Sequence, residues 1–158
     1  MGVETAVIGI GNVLLGDDGV GVHVVGELKR RYQHTGDVEL IDGGTMGLDL
    51  LPFMEGKRRV LFIDAVDFKA EPGTIGELNN SEIPGYFSSK LSVHQIALPD
   101  LLAAGDLLGI VPEEMCLIGI QPCTIETRYG LSPEVEGQVD DLIARVVNKL
   151  SGWGVVLG

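Results

Sequence analysis

The fold is decided by the opening stretch of the chain, residues 5–31, which reads TAVIGIGNVLLGDDGVGVHVVGELKRR. Residues 5–10 form an apolar run typical of a buried strand, and Gly11-Asn12 ends that run. After a loop over 13–19, apolar residues recur at helical spacing, and basic residues occupy the last turn. A buried strand followed by a crossover helix predicts the first unit of a parallel α/β sheet.

The rest of the chain repeats this alternation, apart from segment 80–93, where Pro84-Gly85 interrupts any long helix. Further strands are predicted at 38–42, 59–66, 74–78 (weaker, at an edge) and 115–120, and further helices at 48–54, 98–108 and 133–150. Right-handed crossovers place helices on both faces of such a sheet. We therefore predict an α/β fold of three layers, a twisted, mostly parallel sheet of about five strands with helices on both faces, forming a single domain over residues 1–158.

Composition and charge exclude several classes of partner. The 158 residues carry a formal net charge of −12 and no basic cluster that suits a nucleic acid or an anionic membrane surface. No apolar run approaches the ~18 residues of a spanning helix, and the start of the chain lacks a secretory pattern, so we expect a cytoplasmic protein. The two cysteines, Cys116 and Cys123, are expected to be reduced and structural.

The loop after the first strand carries two adjacent acids, Asp17 and Asp18. Its glycines begin like a dinucleotide fingerprint, but Leu14 occupies the third glycine position and two carboxylates would repel a pyrophosphate. The simplest interpretation is that both acids favour the positive end of the helix dipole and that one of them caps the helix. Because two acids exceed what one cap requires, Asp18, the one nearer the helix, is the functional candidate.

Two more acids lie at the ends of the next predicted strands, Asp42 in the second strand and Asp64 in the third. The carboxyl ends of parallel strands share one edge of a sheet, where ligands bind. Asp is also a common turn residue, so the position of Asp42 at the end of a strand is by itself weak evidence for a function. Asp64 has apolar residues on both sides, which predicts burial, and a buried carboxylate requires a cation or hydrogen-bond donors.

Among three histidines, His94 is distinctive because it precedes a predicted helix, where a crossover loop would bring it to the same edge. A merely capping or packing histidine is the alternative. Carboxylates with one imidazole suit Zn, Mn, Fe or Ni, and so few ligands leave open positions, as a catalytic or substrate-linked metal requires. The sequence contains neither a Gly-x-Ser-x-Gly elbow nor a His-Glu-x-x-His helix, and a cysteine nucleophile is disfavoured.

These motifs also occur together in a fixed order along the chain. They are Gly11-Asn12-Val13-Leu14-Leu15-Gly16-Asp17-Asp18-Gly19, then Asp42-Gly43-Gly44-Thr45 with Gly47-Leu48, then Asp64-Ala65, then His94-Gln95. The ordered set resembles the nickel-iron hydrogenase maturation protease family over residues 5 to about 150. Segments Glu71-Pro72-Gly73-Thr74 and Gly130-Leu131-Ser132-Pro133 are similar to that family as well.

The resemblance implies a twisted sheet flanked by helices and an endopeptidase that removes a C-terminal extension from a hydrogenase large-subunit precursor after nickel insertion. It implies metal ligation by Asp18, Asp64 and His94; the first of these positions is Glu or Asp in the family, so Asp18 fits with a shorter reach. Asp42 matches a family acid and is a further catalytic candidate, for orienting substrate or handling protons. The implied enzyme is a nickel-dependent, aspartic-type, metal-assisted endopeptidase whose nickel arrives with the precursor, and zinc or cadmium are expected to occupy the site in vitro.

Two other functions use the same three side chains. One is a nickel-sensing maturation chaperone without cleavage activity, and the other is a metal hydrolase acting on small substrates. The large-subunit precursor is the expected partner, while the sequence leaves open which hydrogenase it belongs to and which bond is cut. A monomer is the default expectation.

Overall fold

The computed structural model describes residues 2–83 and 97–158, and its centre is a five-stranded sheet. The strands are β1 (Thr5–Ile10), β2 (Glu39–Gly44), β3 (Arg59–Ala65), β4 (Ile75–Asn79) and β5 (Glu114–Ile120). Their spatial order is β2-β1-β3-β5-β4, and every neighbouring pair is parallel except β4 with β5. The predicted edge strand is therefore the antiparallel one.

Helices connect these strands and flank the sheet. They are α1 (Val20–Arg31), α2 (Leu51–Met54), α3 (Ala97–Leu108), α4 (Pro133–Glu136) and α5 (Val139–Gly152), with 3₁₀ turns at Gly16–Gly19 and Gly47–Leu50. None of the helices within the described ranges is both long and apolar enough to cross a membrane.

The two faces of the sheet bury two separate apolar clusters, because successive strand residues point to opposite faces. On one face, Val7, Leu61 and Ile118 pack against α1 and α5. On the other, Ile8 and Phe62 pack with residues of α2 and α3. The prediction of three layers around a mostly parallel sheet is confirmed.

The start of α1 lies directly on the sheet, and glycines make this approach possible. A Cβ at Gly21 would overlap the carbonyl oxygen of Ile63, and a Cβ at Gly9 would overlap the backbone of Gly21. Gly11 has a positive φ of 135°, and a Cβ there would overlap the carbonyl oxygen of Asp18. These contacts hold the 3₁₀ turn before α1 against the ends of β1 and β3.

The predicted final helix, 133–150, is wrong in one respect, because it divides into α4 and α5. Ser132 caps the start as expected, its hydroxyl oxygen accepting a hydrogen bond from the Val135 N–H at 3.3 Å. Gly137 then ends α4, and the Gln138 N–H donates to the Val135 carbonyl instead of continuing the α-helical pattern. Glycine has low helix propensity, which favours a break at this point.

Candidate functional site

The site lies where the order of the strands reverses. The chain passes from β1 outward to β2 and then returns to β3 on the other side of β1, so the switch point lies between β1 and β3. Open α/β sheets bind ligands at such switch points. Asp18 follows β1 in the 3₁₀ turn Gly16–Gly19, and Asp64 is the second-last residue of β3.

Asp64 is a buried acid, as its apolar neighbours predicted, with 2% of its surface exposed. Its Oδ1 accepts a hydrogen bond from the Ala65 N–H at 2.8 Å. Burial raises the pKa of Asp64 well above its usual value, the negative charge of Asp18 raises it further, and the Ala65 hydrogen bond partly opposes both effects. Asp18 is therefore close enough to Asp64 for its charge to raise the pKa of Asp64.

Asp18 is 7% exposed and is held by the loop that precedes it. The Asn12 N–H donates to its Oδ2 at 2.8 Å, and its own N–H donates to the Leu15 carbonyl at 3.2 Å. Two of the three predicted metal ligands thus lie at the ends of neighbouring strands, close enough to interact electrostatically. Together they supply carboxylate oxygens, a donor set that divalent cations accept.

Asp17 has a different role from the one its position suggested, because neither α1 nor the 3₁₀ turn before it has a side-chain cap. Its side chain is fully buried and accepts hydrogen bonds from Cys123, Thr124 and Ser132. These partners lie 106 to 115 positions away in the chain. The interpretation that one of the two acids caps the helix is therefore wrong, and no local sequence signal reveals the real partners of Asp17.

Asp42 lies at the same edge of the sheet but apart from the pair. It belongs to β2, its side chain is exposed, and its register partner on β1 is Gly9. Because β1 separates β2 from β3 and neighbouring strands are about 4.8 Å apart, Asp42 is about 10 Å from the strand that carries Asp64. The structure does not bring Asp42 against Asp64.

His94, the third predicted ligand, lies outside the described residues. Within residues 2–83 and 97–158, no group of three histidine, cysteine, aspartate or glutamate side chains is arranged to hold a metal ion. The described part of the site is therefore a pair of carboxylates. His23, by contrast, is exposed on α1.

Neither cysteine is arranged as a nucleophile. Burial raises the pKa of the Cys116 thiol to about 12, so it remains protonated at neutral pH. Cys123 is exposed, yet its pKa is also raised, first by desolvation and then by the charge of Glu134. A reactive thiol requires a lowered pKa.

Comparison with known proteins gives matches to hydrogenase maturation proteins. The family model described as "HycI: Hydrogenase maturation protease" matches residues 22–149. A hydrogenase expression/formation protein, HupD, from Rhodobacter capsulatus is 42% identical over 151 residues, covering 94% of this chain and 72% of that protein. The hydrogenase 2 maturation protease of Escherichia coli is 38% identical over 150 residues, covering 94% of this chain and 92% of that protein.

Solved structures of hydrogenase maturation peptidases have the same fold as this chain. The hydrogenase maturating endopeptidase HybD from E. coli superimposes with a TM-score of 0.90 at 36% identity, covering 97% of this chain and 95% of that one. A hydrogenase 2 maturation peptidase from a Thaumarchaeota archaeon gives a TM-score of 0.72 at 29% identity, with 93% and 97% coverage.

Proposed function

The chain belongs to the hydrogenase maturation protease family, and we propose that it is an endopeptidase that removes the C-terminal extension of a nickel-iron hydrogenase large-subunit precursor after nickel has been inserted. The observation that carries this proposal is the buried pair of Asp18 and Asp64 at the switch point of the sheet. The pair belongs to a chain that matches family members along nearly its whole length.

The chemistry of the pair fits a cation that arrives with the substrate. Burial and mutual repulsion disfavour two negative charges there, as the raised pKa of Asp64 indicates. A divalent ion would compensate both charges. We propose that Asp18, Asp64 and His94 complete the coordination of the nickel carried by the precursor, and that zinc or cadmium occupy the same ligands in vitro.

The reaction then requires a polarised carbonyl and a directed water. Precursor-bound nickel would supply Lewis acidity at the scissile carbonyl. Asp18 and Asp64 would orient the ion and accept a proton from the attacking water, which makes this an aspartic-type, metal-assisted hydrolysis. Asp42, exposed at the same edge, is proposed to orient the precursor or to handle protons outside the metal site.

The test is a cleavage assay with the purified chain and two precursors, one loaded with nickel and one without it. Shortening of only the nickel-loaded precursor, measured by mass spectrometry, is the expected result. Serine- and cysteine-directed inactivators should leave it unchanged, because the proposed reaction forms no acyl-enzyme. Efficient cutting of the nickel-free precursor would exclude the substrate-metal mechanism.

The same assay separates the other candidate functions. A nickel-sensing chaperone would bind the loaded precursor and leave its length unchanged, whereas a general metal hydrolase would cleave small substrates without any partner. We further propose that the reaction takes place in the cytoplasm and that the enzyme acts as a monomer; gel filtration with light scattering tests the second point.

A further inference from the structure

Asp17 is a fully buried acid that the proposed reaction does not use. We propose that Asp17 is a positioning residue, which holds the turn it shares with Asp18 and thereby sets where the Asp18 carboxylate lies relative to Asp64. The functional part of this inference rests on the proposed function, since Asp18 matters to catalysis only if it acts at the reacting centre.

Four hydrogen-bond donors surround the Asp17 carboxylate. Its Oδ1 accepts from the Ser132 N–H at 2.7 Å. Its Oδ2 accepts from the N–H groups of Cys123 at 2.8 Å and Thr124 at 3.1 Å, and from the Ser132 hydroxyl at 2.8 Å. An amide has one acceptor oxygen, so an asparagine would turn an N–H group toward other donors. The site therefore requires a carboxylate.

These bonds join the turn before α1 to the segment that follows β5. The Asp17 N–H donates to the Thr124 carbonyl at 3.0 Å, and the Gly16 N–H donates to the Arg128 carbonyl at 2.9 Å. The Arg128 N–H returns a bond to the Leu14 carbonyl at 3.0 Å. The turn before α1 and the segment after β5 are thus joined by backbone hydrogen bonds and by the buried Asp17 carboxylate.

Asp18, the next residue of the turn, is bound to a different segment of the chain. Its carboxylate accepts from the Asn12 N–H at 2.8 Å, in the loop that leaves β1. If Asp17 is substituted, the donors that bound its carboxylate lose their partner, and the turn is expected to shift to restore those hydrogen bonds. Because Asp18 is the next residue, the same shift would move the Asp18 side chain. Displacement of a reacting group by about 1 Å can reduce a rate by about 100-fold.

The experiment uses Asp17→Asn with Asp106→Asn as its matched control. Asp106 is an exposed acid in the last turn of α3, before β5 begins, and so lies at the sheet edge opposite the site. For Asp17→Asn we expect the kcat for the nickel-loaded precursor to fall about 10-fold or more, with KM changed less than about twofold. The Asn12 amide resonance in the ¹⁵N–¹H spectrum of the metal-free protein should shift, because its partner Asp18 has moved. The control variant should change neither the kcat nor the Asn12 resonance.

Ser132→Ala keeps the inference testable if Asp17→Asn does not fold. This variant removes one donor and leaves three main-chain donors on the carboxylate, so we expect a smaller fall in kcat and a smaller Asn12 shift. A lower melting temperature with an unchanged kcat and an unchanged Asn12 resonance would overturn the inference for either variant. If the wild-type chain cleaves no precursor, the proposed function fails, and the Asn12 resonance alone decides whether Asp17 positions Asp18.

Discussion

Two acids in this molecule, Glu27 on α1 and Asp64 on β3, have opposite electrostatic surroundings. The Glu27 carboxylate contacts Arg30 at 2.8 Å and Arg31 at 3.1 Å, and the hydrogen bond with Arg30 is the main cause that lowers its pKa to about 2. For Asp64, burial and the charge of Asp18 raise the pKa. The contrast separates an acid that neighbouring positive charges stabilise in its ionised form from an acid that burial and a neighbouring negative charge destabilise in that form.

The largest expected effect comes from neutralising the pair at the switch point. Asp64→Asn and Asp18→Asn should each reduce processing of the nickel-loaded precursor by about 100-fold or more, the usual cost of losing an electrostatic group at a reacting centre. Initial rates of precursor shortening measure this, with Glu27→Gln as the control that removes an acid elsewhere. Normal processing by both site variants would contradict the metal hypothesis.

His94→Ala tests the third predicted ligand in the same assay. We expect a comparable loss of processing, about 100-fold, because an imidazole would be missing from the coordination of nickel. The melting temperature should change little, because the sequence predicts His94 outside the core and surface substitutions usually stay within about 0.5 kcal/mol. A His94→Ala enzyme that processes at the wild-type rate would remove His94 from the site.

Asp64→Asn should also stabilise the metal-free protein, by about 1–3 kcal/mol at neutral pH, the usual cost of a poorly compensated buried group. The amide oxygen can still accept the Ala65 N–H. Because the pKa of Asp64 is raised in the folded state, its charge destabilises the fold above the unfolded pKa of about 3.9, and the penalty grows as the pH rises toward the folded pKa. Denaturant unfolding at several pH values should show the gain vanish below about pH 4; a constant gain would contradict this explanation.

The smallest effect is expected at Glu27, whose partner Arg30 is 68% exposed and therefore well solvated. Glu27→Gln should lower the free energy of unfolding at neutral pH by about 0.5 kcal/mol. Its lowered pKa means that this contribution is present above about pH 4.3 and is lost as the pH falls through about 2. Added salt should weaken it. A larger loss than that of a core substitution would break the contrast with Asp64.

Much of the fold was predictable because strand and helix periods are local properties of the sequence. Residues 59–66 predicted a buried strand, and β3 spans Arg59–Ala65 with Asp64 buried near its end. The division of the last helix at Gly137 escaped prediction, because the apolar positions keep helical spacing on both sides of it.

The site was predictable only in part. Asp18 and Asp64 follow from the rule that ligands bind at the carboxyl ends of parallel strands, together with an acid inside an apolar run. The role of Asp17 was not predictable, because tertiary structure brings its partners from 106 to 115 positions away in the chain. No pattern in the sequence around Cys123 or Ser132 indicates a contact with Asp17. The role of His94 stays a prediction.

The direct contact between α1 and the sheet has one further consequence, for the substitutions that this part of the chain tolerates. The distance from helix to strand is set where the backbone of Gly21 meets Gly9 and Ile63. Any side chain at Gly9 or Gly21 would push the helix away from the strands, because a Cβ at either position overlaps backbone atoms. Two positions without side chains thus set how closely the turn that carries Asp18 approaches the strand that carries Asp64.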